Sequence, residues 1–152
     1  MKLKHLLKEA KQVGVIYHYT HVGALQDILK SDELNTGVGN QPYISCTRNK
    51  NFHKTPRHGL ADGKGINCVI ILDGNKLSNK YKIGPYNFFA NGLDDTYKDD
   101  DDIDEDEEAI WTEEIPNISK YIIAIAPAIN NYRTIEIVNE LGSQYNIPVK
   151  II

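Results

Sequence analysis

Residues 16–34 read IYHYTHVGALQDILKSDEL. Ile16 to Tyr19 alternates β-branched and aromatic residues, and Val15 to Tyr19 is predicted as a strand. A helix is predicted from about 22 to 31, because Leu25, Ile28 and Leu29 recur at helical spacing. Thr20 is the expected cap. A strand thus delivers His18, Tyr19 and Thr20 to the start of a helix, where free backbone amides favour a ligand.

Working outward, residues 2–12 read as an amphipathic helix, with Leu3, Leu6, Leu7 and Ala10 on one stripe and Gly14 as its break. Residues 35–42 read as loop. Tyr43–Thr47 is a second strand, and 48–67 a long polar loop. Cys68–Leu72 is a buried strand closed by a turn at Asp73-Gly74. Residues 75–106 read as mostly irregular. Ala109–Trp111 and Tyr121–Ala126 are further strands. A helix is expected over 131–141, aligning Ile135, Val138 and Leu141, and a closing strand over 148–152. Strands and helices mix without a βαβ rhythm, so the expected class is α+β. The 152 residues suit one domain, and 41% hydrophobic content is enough for a core.

No apolar run reaches the length of a membrane helix, and the N-terminus lacks a signal-peptide core. Cys46 and Cys68 form no CxxC pair, so two reduced thiols and a cytoplasmic protein are expected; a monomer is expected as well. His53 and His58 have no partners at metal-ligand spacing, so no metal site is expected. The net charge of −4 is uneven. Residues 94–108, DDTYKDDDDIDEDEE, hold eleven acids and one lysine, a local −10; the rest of the chain is therefore +6. Such a run reads as a solvated loop, with a nucleic-acid-mimicking surface or a cation site as sharper readings. Residues 48–58, RNKNFHKTPRH, are basic with one aromatic, a pattern able to touch a polynucleotide.

The spacing His18-x-Thr20-His21, then Leu25, Ile28-Leu29 and Leu34, resembles the opening of DarT-type DNA ADP-ribosyltransferases and the His-Tyr-Glu branch of that superfamily. Tyr43 to Asn49, YISCTRN, resembles its second motif, and Glu105 to Ile110, EDEEAI, its third, with the three in the same order. The resemblance spans about residues 14–126; it departs from DarT after Arg48, and small phage-encoded proteins of this layout look closer. It implies a split β-sheet with flanking helices around a cleft for NAD as substrate. It also implies transfer of ADP-ribose to a macromolecular acceptor, nucleic acid or protein. In that reading Glu107 is the first choice for the catalytic carboxylate and Glu108 the alternative, since strand alternation lets only one face the site. Arg48 pairs with a phosphate or braces the carboxylate. His18 bonds the ribose, Tyr19 or Tyr43 stacks on the nicotinamide, and Thr20, Ser45 and Thr47 supply polar contacts. His18, Tyr19, Thr47 and Arg48 are expected to converge on one cleft. The rival reading is a non-enzymatic inhibitor that presents its acidic loop to a basic partner.

Overall fold

A computed structural model describes residues 13–36, 42–51, 66–85 and 107–152, Glu107 by its backbone alone. The helix expected over 2–12, most of the basic 48–58 segment and the acidic run up to 106 lie outside these residues. The elements run β1 (Val15–Thr20), α1 (Val22–Ser31), β2 (Glu33–Asn35), β3 (Ile44–Thr47), β4 (Cys68–Asp73), α2 (Gly74–Ser78), β5 (Ile83–Pro85), β6 (Glu107–Ile110), β7 (Glu114–Pro116), a 3-10 turn (Ile118–Lys120), β8 (Ile122–Pro127) and α3 (Tyr132–Tyr145). The class is α+β, as the sequence indicates. Six strands form one antiparallel sheet in the order β5-β6-β3-β1-β4-β8, and β2 pairs with β7 as a separate ribbon.

Pairing along the six-stranded sheet is uneven. β1 pairs with β4 along six consecutive residues, from Val15↔Asp73 to Thr20↔Cys68. β3 pairs with β6 along four, from Ile44↔Ile110 to Thr47↔Glu107. Between the two halves, β1 and β3 share a single register pair, Tyr17↔Thr47. Two three-stranded halves of one continuous sheet therefore meet at a thin seam.

Alternation fixes the two faces. Cys68, Ile70 and Leu72 of β4 join Ile16, Ile44, Cys46, Ile110 and Ile125 in the main core. Leu25 and Leu29 of α1 and Val138 and Leu141 of α3 cover that face. Val69 and Ile71, the residues in between, join Ala124 and Ala126 on the second face, with Tyr17, Tyr19 and Ile123 packed against them. β4 is buried on both faces from Cys68 to Leu72, which is why it reads as a continuous apolar run. A register shift opposite Ile71/Leu72 inserts one extra residue in β8. It lets Ile122 pack with the main core and Ile123 with the second face, a bulge's usual effect.

Several expectations are corrected. α1 is capped by His21, not Thr20, because His21 Nδ1 accepts from the Ala24 amide at 3.1 Å. Asp73-Gly74 does not close a turn. Asp73 caps α2, with its Oδ1 accepting from Lys76 N. Gly74 N donates to Gly14 O at 2.8 Å, and a Cβ there would lie 2.4 Å from that same oxygen, so the close approach demands glycine. β2, β5 and β7 fall in stretches read as irregular or not read at all; each has three residues, too few to show a period. The closing strand shrinks to one parallel bridge, Ile125↔Val149. Both cysteines are buried and unbridged, and burial pushes the Cys68 thiol up to about 12. Among the described residues no helix is long and apolar enough to cross a membrane.

Candidate active site

The sheet register lines up two of the candidates. Tyr17 pairs with Thr47 and Thr47 with Glu107, so the next residue along, His18, falls in the row of Cys46 and its partner Glu108. Two strand spacings separate the ends of that row, roughly 10 Å between backbones. Glu108 lies on the main-core face and its side chain is 0% exposed, yet it is a carboxylate. Arg48, the residue after β3, sets its Nε 2.7 Å from Glu108 Oε1 and stays 30% exposed. A buried carboxylate is costly without a partner, and the guanidinium beside it offsets that cost. In the structure Arg48 is paired with Glu108.

His18 latches the seam. Its Nδ1 donates to the Ser45 carbonyl at 2.9 Å across the point where the β1–β3 ladder has only one pair. That bond fixes the tautomer and leaves Nε2 as an acceptor. Burial pushes the His18 pKa below the ordinary histidine value, and the bond to Ser45 O opposes the shift without cancelling it. The fold therefore favours neutral His18. Stability from this residue is whole above about pH 6.5, the unfolded value, and falls as pH drops toward the lower folded value. Urea melts at pH 7.5 and 5.5 should show a loss for the wild type that is smaller in His18→Gln.

The remaining candidates are placed differently. Tyr19 is on the second face, where its hydroxyl donates to Lys50 O at 2.8 Å. Thr47 is buried, and its Oγ1 accepts from Asn49 N at 3.1 Å. These two shape the chain after β3 and do not join His18 and Arg48, so the expected four-residue convergence is corrected: His18, Arg48 and Glu108 share a face. The reason is strand period, since Tyr19 is one residue from His18 and Thr47 one from Arg48. Ser45 is exposed and contributes its carbonyl. Tyr43 lies at the opposite end of β3 from Arg48, five residues or roughly 16 Å away. Its ring meets that of Trp111 at 5.1 Å. Thr20 gives its carbonyl to Asn67 N and to the Cys68 thiol.

Asn67 was not among the sequence candidates. Its Oδ1 accepts from Val22 N at 3.0 Å, its N–H donates to Thr20 O, and its carbonyl accepts from Ala128 N. It ties the end of β1, the start of α1 and the end of β8 together. With Val22 N held by Asn67 and Ala24 N by His21, the start of α1 has few amides left for a ligand. A polar residue directly before the apolar run at 68–72 was the only signal available for it. Two sizeable grooves among the described residues lie away from the row, along the C-terminal tail.

No protein-family model matches this chain, and no curated protein matches it in sequence.

Proposed function

We propose that the chain is an NAD-dependent ADP-ribosyltransferase whose catalytic carboxylate is Glu108. The observation that carries the reading is the row itself. A wholly buried glutamate is braced by Arg48 at 2.7 Å, on the same sheet face as a neutral histidine held by its backbone bond. These residues come from the three segments that resemble the superfamily's motifs.

The chemistry follows from the residue types. The bond from the ribose anomeric carbon to the nicotinamide nitrogen breaks, and its electron pair leaves with nicotinamide. The ribose becomes cationic, as in glycoside cleavage. A preorganised carboxylate stabilises that charge, and Glu108 supplies it. His18 Nε2 accepts a ribose hydroxyl and orients the sugar. The acceptor's nucleophile then bonds the anomeric carbon and gives up its proton, which Glu108 takes as base. Arg48 holds Glu108 in place through the 2.7 Å ion pair.

The test is to incubate the purified chain with NAD labelled on its adenine and a cell lysate, then digest with nuclease or protease. The label should become macromolecular, and one of the two treatments should release it. Label that stays wholly in NAD would remove the transferase reading.

A further inference from the structure

We infer that the groove between β8, α3 and the chain after α3 binds a single-chain fatty carboxylate, with its alkyl chain along the apolar walls and its head on Lys150. The groove measures about 690 Å³, a size typical of small-ligand sites. Ile129, Ile135, Val149 and Ile151 supply walls, and Asn130, Asn139 and Lys150 supply polar groups. Ile129 is 40% and Ile151 97% exposed, so the fold leaves apolar surface in water at this one hollow.

The walls are fixed on both sides. Ile125 holds residues 148–150 by two bonds, donating its N–H to Pro148 O and accepting from Lys150 N, each at 2.9 Å. On the other side Val149 packs on α3 at Gly142, where a Cβ would collide with Val149 Cγ2. The chain after α3 is thus clamped between strand and helix, and the hollow beside it is preformed, as ligand sites usually are.

The lining selects the occupant. Among the described residues, no carboxylate and no aromatic side chain lines the groove, which therefore offers a cation and no stacking surface. Charge complementarity calls for an anionic head, and the aliphatic walls call for a chain and not a flat ring. A peptide carries a donor and an acceptor at nearly every residue, far more than one ammonium and two amides satisfy. In a two-fold contact between copies the same patch meets itself, and each side would bring an unmatched ammonium. An alkyl carboxylate has one anionic head and no other polar group. β8 is four strands from the β6 that carries Glu108, roughly 20 Å, so this site stands or falls independently of the transferase reading.

The test is isothermal titration calorimetry of the purified chain with octanoate, decanoate and dodecanoate, each below its micelle threshold, and with decanol. Each acid should saturate a single site, and affinity should rise roughly threefold to fourfold per added methylene. Lys150→Glu should weaken decanoate at least about fivefold and leave decanol within about twofold. Ile129→Asp, at a position exposed enough to spare the fold, should weaken both at least about tenfold by placing a carboxylate in the apolar wall. Lys80→Glu, at an exposed lysine lying over Tyr81 and not lining the groove, should change neither. Absence of saturable binding, or affinity that does not rise with chain length, overturns the proposal. So does either groove variant binding decanoate as the wild type does. Capture on phosphatidylglycerol vesicles without binding of free decanoate would make the groove a membrane contact and overturn it as well.

Discussion

Glu108→Gln should lower nicotinamide release about a hundredfold to a thousandfold while leaving NAD affinity within a few-fold of the wild type. Glutamine keeps the size and one acceptor oxygen but removes the negative charge. That charge matters most when the ribose is cationic, so its loss falls on kcat and not on ground-state binding. The magnitude is that of removing one preorganised electrostatic group. The same change removes the charge opposite Arg48, but the glutamine amide oxygen can still accept from its Nε, and the arginine side chain is 30% exposed. The variant should therefore fold, which circular dichroism and a thermal melt check. Glu107→Gln is the control, since its backbone pairs with Thr47, one step out of the row that holds His18. If Glu107→Gln is the inactive variant and Glu108→Gln turns over normally, the catalytic assignment moves back by one residue.

Ile70→Ala should destabilise the protein by about 2–5 kcal/mol. Ile70 is wholly buried in β4, facing the main core, and is the register partner of His18 on one side and Ile125 on the other. Removing three carbons there loses transfer free energy and leaves a cavity, because neighbours on two strands and the covering helices cannot all collapse into it. For a chain of this length each kcal/mol moves Tm by roughly 2–4 °C, so a fall of roughly 5–15 °C is expected in a thermal melt. Val15→Ala, at a 45% exposed position of β1, should move Tm by no more than a degree or two. Equal small shifts for both would mean that β4 is not the centre of the core.

Much of the fold was readable wherever one face is buried over several turns or strand repeats. Leu25, Ile28 and Leu29 gave α1 to the residue, and the apolar run from Cys68 gave β4. The three-residue strands were not readable, since Glu33–Asn35, Ile83–Pro85 and Glu114–Pro116 gain their strand character from partners far along the chain. The site was half legible. His18 lies in β1 and Arg48 directly after β3, both strands that the pattern marks. The choice between Glu107 and Glu108 depends on the β3–β6 register, a long-range fact. The sequence reading started that strand at Ala109, where β-propensity begins, whereas the ladder starts at Glu107. Thr47 and Tyr43 show the same limit. Thr47 turns to its own backbone neighbour Asn49, and Tyr43 to Trp111, 68 residues on. A short-range pattern marks such residues as polar or aromatic near a site without showing which way they turn.

The most direct measurement is nicotinamide release from NAD, followed by proton NMR with the purified chain and the acceptor fraction identified by labelling. The account predicts release that tracks label transfer, requires both chain and acceptor, and falls about a hundredfold or more in Glu108→Gln. NAD left intact by a folded wild-type chain in the presence of that fraction, or release that is unchanged in Glu108→Gln, would contradict it.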